Sequence, residues 1–173
     1  KKISTPHGWC SKGDLKLAFY EILDKIFFNF FDRVVPLSDK MALSLRGINK
    51  NKIRVINNFI DLGRIPSPRA GDPHLITYMG RLVGLKRVED AIKAIKLIKH
   101  ENVKLQIIGD GPEREELKSL TLRLGLKEKV VFLGHRENSI ELLNDSQIFI
   151  LPSLTEGISR STMEAMALKK III

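Results

Sequence analysis

Two carboxylates near the end of the chain, Glu156 and Glu164, stand eight positions apart on either side of a small polar segment. Between them, Gly157, Ile158 and Ser159 suit the start of a helix, where unpaired backbone N–H groups attract phosphate. Carboxylates beside such a helix start can accept hydrogen bonds from sugar hydroxyls. Few ligands need both kinds of group at once, and a sugar nucleotide is one of them. An exposed loop glutamate and a surface glutamate of the helix would give the same spacing.

A second candidate site follows an apolar segment that is typical of a strand. Gly80 and Arg81 come directly after this segment, and Lys86 comes just before a helical pattern. A guanidinium binds phosphate through paired hydrogen bonds, and an ammonium adds a point charge. At the carboxyl end of a parallel strand the two cations suit a diphosphate, whereas on an ordinary loop they would be a solvated pair.

Two further strand ends carry candidate residues. The run Gly109-Asp110-Gly111-Pro112 resembles the start of a dinucleotide fingerprint, but Arg114 stands where the third glycine would be. A lone Gly-x-Gly is weak evidence, and a tight turn before a helix, with Asp110 as a helix cap, explains it as well. Gly134 and His135 follow another predicted strand and would face the same ligand.

The elements that must position these residues alternate regularly in the second half of the chain. Short apolar segments at 75–79, 103–108, 130–133 and 148–151 predict strands, and periodic segments at 88–98, 113–124, 139–143 and 160–168 predict helices. This alternation is typical of an α/β fold with a doubly wound parallel sheet. Ligands of such sheets bind at the carboxyl ends of the strands.

The first part of the chain is a separate candidate domain. We predict a helix over 14–31, a strand over 34–37, a helix capped by Ser38 and Asp39 that ends near Leu45, and a strand over 53–56. The prolines and glycines of 61–73 favour a linker. The predicted limits are therefore a first domain over 1–62, a linker over 63–73 and a second domain over 74–173, in a piece of a longer protein.

Composition narrows the function classes. The 173 residues are 43% hydrophobic with a formal net charge of +9, spread along the chain rather than gathered into the stripe that nucleic acid requires. Such a charge suits anionic ligands or the inner leaflet of a membrane. The single cysteine, Cys10, excludes an internal disulfide and favours a reducing, cytoplasmic compartment. The four histidines lack metal-ligand spacing and no Asp-x-Asp pair occurs, so we expect no metal site.

Taken together, these motifs resemble, in order and over nearly the whole chain, those of the group-one (family four) retaining glycosyltransferases. Members of that family have the GT-B fold, two Rossmann-like domains facing each other across a cleft, and both domains would be incomplete here. The resemblance is carried by several segments: 55–61, Gly80-Arg81 with Lys86, 109–112, 131–134, Leu151-Pro152-Ser153 leading into Glu156 and Glu164, and His7-Gly8-Trp9 upstream.

The resemblance implies a part in donor binding or transfer for each candidate residue. In that scheme the diphosphate is held by Arg81, Lys86 and Gly80, and a phosphate is capped by the amides of Gly157, Ile158 and Ser159. Glu164 bonds the ribose, and the base lies against Gly134 and His135. Glu156 contacts the transferred sugar, and His7 reaches the same sugar. Phe59 and Ser159 stand where glycine is frequent in the family, which bears on the choice of sugar.

The expected function is transfer of a sugar, with retention, from a UDP- or GDP-sugar to a saccharide or lipid-linked acceptor in cell-surface polysaccharide or glycolipid biosynthesis. The resemblance implies that no cofactor or metal is required. It also implies a cytoplasmic enzyme, for which the inner face of the cell membrane is a further candidate partner. Two alternatives remain open: a sugar-nucleotide epimerase or hydrolase of the same fold, and a basic module that binds nucleic acid or an anionic surface.

Overall fold

The computed structural model describes residues 1–6, 15–154, 156 and 159–173, and the chain divides into two compact units, 1–58 and 59–173. Both units are of the α/β type, with parallel strand pairing. The α/β prediction is therefore confirmed, while the domain limits drawn at 62 and 73 stay predictions.

The first unit has a two-stranded parallel sheet in its described part. Its strands are β1 (Ile3–Ser4) and β2 (Arg33–Val34), and its helices are α1 (Leu15–Phe27), continued by a 3-10 turn over Phe28–Phe30, and α2 (Asp39–Ser44). The small core of this unit consists of Phe28, Val34, Leu45 and Ile48. The predicted cap of α2 is confirmed, because the Ser38 hydroxyl accepts a hydrogen bond from the Met41 N–H at 3.2 Å.

The strand predicted over 53–56 is wrong. Ile53 forms only an isolated parallel bridge with Val34. The Arg54 N–H donates to the Val34 carbonyl and the Ile56 N–H to the Pro36 carbonyl. Pro36 has no N–H to donate in return, so the ladder cannot continue in both directions.

The second unit is built on a five-stranded parallel sheet in the described range, with the order β5-β4-β3-β6-β7. Its strands are β3 (Asp72–Met79), β4 (Lys104–Ile108), β5 (Val130–Gly134), β6 (Ser146–Phe149) and β7 (Ile171–Ile172), and its helices are α3 (Val88–Leu97), α4 (Arg114–Arg123), α5 (Ser139–Asn144) and α6 (Arg160–Ala167). The doubly wound topology predicted from the alternation of strands and helices is confirmed.

Both faces of this sheet are buried. Ile76 and Tyr78 of β3 point to a core shared with α3 and α4, whereas Met79 packs on the opposite face with residues of α5 and α6. A polar network lies on that second face, where Gln106 Nε2 donates to Thr77 Oγ1 at 2.7 Å and Thr77 Oγ1 donates to Ser146 Oγ at 2.7 Å. Burial on both sides explains why most residues of the strands are apolar, and the polar side chains on the second face are paired with one another.

The loops that carry the candidate residues all follow the carboxyl ends of these parallel strands. Loop 80–87 follows β3, loop 109–113 follows β4, and the described residues 152–154 and 156 follow β6. Strands β3 and β4 are in contact, as are β3 and β6, so the three loops emerge at one edge. Within the described residues, no helix has the length and apolarity needed to cross a membrane.

Candidate functional site

The loops after β3 and β4 are locked together by close backbone packing. The Leu82 N–H donates to the Asp110 carbonyl at 3.0 Å. An added Cβ at Gly109 would lie 2.0 Å from the Gly80 carbonyl oxygen, and one at Gly111 would lie 2.3 Å from that of Leu82. The two glycines are thus required for this approach, which supports the tight turn rather than a dinucleotide fingerprint.

Asp110 is not the N-cap of α4, contrary to that expectation. Glu113 occupies the N-cap position and makes no side-chain cap bond. Asp110 Oδ1 instead accepts a hydrogen bond from the Gly111 N–H at 2.8 Å, and Oδ2 pairs with Arg114 Nη1 at 2.7 Å. The carboxylate therefore bonds the turn and the side chain of the first residue of α4 instead of capping the N–H groups of the helix.

Arg81 presents an exposed guanidinium at the end of β3. The Arg81 carbonyl accepts a hydrogen bond from the Tyr78 hydroxyl at 2.9 Å, which fixes the backbone of the loop. Tyr78 is fully buried, and burial, followed by the charge of Glu113, raises the pKa of its hydroxyl. The Arg81 side chain makes no hydrogen bond or ion pair with any residue that the structure describes, so its donors are available to an anion.

Lys86 and Glu156 form an ion pair between the loop after β3 and the loop after β6. Ser153 Oγ donates to Glu156 Oε1 at 3.1 Å, and the Leu154 N–H donates to the Leu85 carbonyl at 3.0 Å. The Lys86 and Glu156 side chains are each 25% exposed, and burial lowers the pKa of Lys86. The structure thus brings together a residue predicted to bind the diphosphate, Lys86, and a residue predicted to contact the sugar, Glu156.

Glu164 lies in α6 and is only 8% exposed. Its nearest cation is Arg160, whose Nη2 is 3.7 Å from Glu164 Oε1. No described residue donates a hydrogen bond to this carboxylate, and burial raises its pKa, partly opposed by Arg160. Its oxygens are not among the buried, unpartnered polar atoms of the described residues, so they still reach the surface, where ligand hydroxyls can donate to them.

Ser159 begins the same helix as its N-cap. Its hydroxyl accepts from the Thr162 N–H at 3.1 Å and is shared with the hydroxyls of Ser161 and Thr162. The predicted helix start is confirmed. Because the Ser159 hydroxyl already satisfies one first-turn N–H group, the anion site predicted there would depend on the other N–H groups of that turn.

Gly134 ends β5 in the left-handed region, with φ of +72°, and its carbonyl accepts from the Gly109 N–H at 2.8 Å. His135 follows as an exposed residue. The guanidinium of Arg114 lies beside Gly134, since an added Cβ there would be 3.5 Å from Arg114 Nη2. The sequence marked Arg114 only as the residue that interrupts a glycine pattern, and its contact with β5 was missed.

Three of the predicted site residues, His7, Gly157 and Ile158, lie outside the described residues. Among the others, the contacts join Lys86 to Glu156 and do not join Arg81, Glu164 or His135 to that pair. No cluster of three His, Cys, Asp or Glu residues in the described part of the chain is placed to hold a metal ion. The residue roles and the metal-independent reaction stay predictions.

Comparisons with known proteins agree on one family. Residues 61–173 match the family model described as "Glycosyl transferases group 1". The chain is 33% identical over 138 residues to the lipopolysaccharide core biosynthesis glycosyltransferase LpsD of Rhizobium meliloti, which covers 76% of this chain and 40% of that protein. It is also 31% identical over 171 residues to a Campylobacter jejuni N-acetylgalactosaminyltransferase that acts on a diphospho-undecaprenol acceptor, covering 95% of this chain and 47% of that protein.

The fold is shared with solved glycosyltransferase structures of the GT-B type. HepE of Anabaena, solved in complex with UDP-glucose, superposes with a TM-score of 0.81 at 22% identity, covering 98% of this chain and 52% of that one. The present chain thus spans less than half the length of the two curated relatives.

Proposed function

The chain belongs to the group 1 glycosyl transferases, and from that premise we propose that its parent protein transfers a sugar from a nucleotide-sugar donor to a saccharide or lipid-linked acceptor. The second unit, 59–173, binds the donor in this proposal. The relatives act in lipopolysaccharide core biosynthesis or on a diphospho-undecaprenol acceptor, which supports a role in cell-surface polysaccharide or glycolipid synthesis. UDP-sugars are the first donors to test, because HepE was solved with UDP-glucose.

The contact between Lys86 and Glu156 is the observation that carries the proposal. In a nucleotide sugar, the sugar is joined directly to the second phosphate. A site for this ligand must therefore place a phosphate-binding cation next to a carboxylate that binds sugar hydroxyls. Lys86 and Glu156 come from two different loops and meet at the carboxyl edge of one parallel sheet, where ligands of such sheets bind.

The proposed mechanism follows from the charges that develop during transfer. As the bond between the sugar C1 and the phosphate oxygen breaks, its electron pair passes to the diphosphate and the sugar becomes positively charged. Lys86 and Arg81 stabilise that leaving group more than they stabilise the intact donor, which lowers the barrier. In this scheme Glu156 orients the sugar, and Glu164 accepts hydrogen bonds from the ribose.

Retention and independence of metal belong to the proposal as well. The acceptor hydroxyl attacks C1 on the face that the diphosphate leaves, and its proton passes to the departing phosphate oxygen. The cations of the chain take the part that a divalent metal would otherwise play at the diphosphate. Anomeric analysis of the product by NMR, together with assays in the presence of EDTA, tests both statements.

The central experiment removes the cations one at a time in the full-length protein. We expect Arg81→Ala and Lys86→Ala each to reduce turnover about 100-fold or more, because each removes a donor to the developing negative charge. Lys93→Ala is the matched control, since Lys93 is half exposed on α3 and its ion pairs with described residues are with the surface carboxylates Glu89 and Asp90. Near-wild-type turnover in both test variants would rule the proposal out, and release of free sugar with water alone would indicate a hydrolase instead.

We also propose that the first unit contacts an anionic membrane surface, where a lipid-linked acceptor would lie. Its helix α1 exposes apolar side chains at Leu15, Phe19, Ile22 and Ile26, which recur on one face of the helix. Cations of the same unit, including Lys50 and Lys52, would add about 1 kcal/mol each near anionic lipid. Sedimentation of the full-length protein with anionic but not with zwitterionic vesicles would support this proposal, and equal binding to both would contradict the electrostatic part.

A further inference from the structure

Arg114 occupies a position that helix stability does not explain. It is the first residue of α4, where the positive end of the helix dipole disfavours a cation. Its Nε is buried and has no hydrogen-bond partner among the described residues, and an unpartnered buried donor costs stability. Since both features are unfavourable, the reason for an arginine at this position lies in what its guanidinium contacts.

The guanidinium contacts an irregular end of β5. The register between β4 and β5 shifts there, because Ile107 pairs with Phe132 but Ile108 pairs with Gly134, which leaves Leu133 as an extra residue. Gly134 then adopts the left-handed φ of +72°. Such bulges redirect the chain, and they are frequent beside functional sites.

Arg114 connects this bulge to the turn after β4. An added Cβ at Gly134 would lie 3.5 Å from Arg114 Nη2 and 3.7 Å from Nη1, so the guanidinium faces Gly134 across a space that would just hold a methyl group. On its other side, Arg114 Nη1 pairs with Asp110 Oδ2 at 2.7 Å, and Asp110 Oδ1 is held by the Gly111 N–H. The Asp110 carboxylate therefore holds the planar guanidinium of Arg114 beside the bulge.

We propose that Arg114 is a positioning residue that sets the shape of the segment Gly134–His135 and thereby determines how well the site distinguishes the base of a nucleoside diphosphate. This inference rests on the proposed function, and on the family resemblance for the expectation that this segment lies against the base of the donor. Arg114 acts through the backbone of Gly134 and makes no contact with the reacting atoms. A lysine can keep the ion pair with Asp110, but it cannot supply the planar surface.

The test compares ligands with and without a base on the full-length protein. Dissociation constants are measured for UDP, GDP, ADP and ribose 5-diphosphate with the wild type, Arg114→Gln, Arg114→Lys and the control Arg123→Gln. Arg123 is exposed at the other end of α4 and carries the same charge. The preference for the base is the ratio of the dissociation constant of ribose 5-diphosphate to that of the best nucleotide. For Arg114→Gln we expect this ratio to fall about 10-fold, because the segment that contacts the base would be misplaced. The dissociation constant of ribose 5-diphosphate itself should not change.

The second variant separates positioning from folding. Arg114→Lys should keep the thermal stability of the wild type and still lose the preference for the base, whereas Arg123→Gln should change neither. An unchanged preference in both Arg114 variants, or an equal loss of affinity for all four ligands, would overturn this inference alone. A wild type that binds none of the nucleotides would refute the proposed function, and this inference with it.

Discussion

Replacement of Glu164 by glutamine should raise stability and weaken donor binding at the same time. Glu164 is 8% exposed, and burial raises the pKa of its carboxyl above the ordinary 4.5. The folded state therefore disfavours the charged form at neutral pH, and a neutral amide of similar shape removes that penalty. The direction of the pKa shift fixes the pH dependence of stability. The energetic penalty of the buried charge is fully present above the raised pKa of the folded state and disappears as the pH falls below the ordinary pKa. The gain in the free energy of unfolding should thus shrink in acid.

The loss of binding follows from the number of acceptor atoms. A carboxylate offers two oxygens to the two ribose hydroxyls, whereas an amide offers one. Loss of one hydrogen bond to a charged group costs about 1.5–3 kcal/mol, which corresponds to an affinity about 10–150-fold weaker. Calorimetric titration of the full-length protein with the best nucleotide and with its 2′,3′-dideoxy analogue measures the effect. The penalty for the missing hydroxyls should be large in the wild type and small in Glu164→Gln.

Arg160→Gln is the control for this experiment. The Arg160 side chain is 78% exposed and its Nη2 is 3.7 Å from Glu164 Oε1, so its loss should lower stability slightly and leave the preference for the ribose hydroxyls intact. If Glu164→Gln gains stability but keeps the full hydroxyl preference, Glu164 does not bind the ribose. If it loses stability at neutral pH, the carboxylate has a structural partner and the reasoning about its burial is refuted.

Two further predictions concern the same edge of the sheet. Because burial lowers the pKa of Lys86, kcat/KM should decline on the alkaline side at a lower pH than an ordinary lysine would give. Lys86→Arg should abolish that decline in a pH profile of kcat/KM. If the variant shows the same alkaline decline as the wild type, Lys86 is not its source. Gly109→Ala should lower the free energy of unfolding by about 2–6 kcal/mol, since its Cβ would meet the Gly80 carbonyl at 2.0 Å in a left-handed backbone. Gly125 has a φ of +71°, but an added Cβ there would meet no atom within 4 Å. Gly125→Ala should therefore lower the free energy of unfolding by only about 1–2 kcal/mol. Equal losses of unfolding free energy for the two variants in urea denaturation would contradict the packing argument.

The elements of the second unit were predictable because their signals are local. The segment at 103–108 is mostly apolar, and the structure shows β4 over Lys104–Ile108 in the parallel sheet. The helix predicted over 88–98 is observed as α3, Val88–Leu97, and its buried residues Val88, Ala91, Ile92 and Ile95 recur at helical spacing. The failed strand at 53–56 has a non-local cause, because the missing N–H belongs to Pro36 on the neighbouring segment.

The sequence by itself determined the alternation of strands and helices, the family, and which loops carry charge at the carboxyl edge of the sheet. Only the tertiary structure decided that Lys86 pairs with Glu156, that Glu164 is largely buried, and that Arg114 lies beside a bulge at Gly134. The physical reason is range. Propensity and periodicity act over a few neighbouring residues, whereas burial, ion pairing and register depend on segments that meet only after the chain has folded.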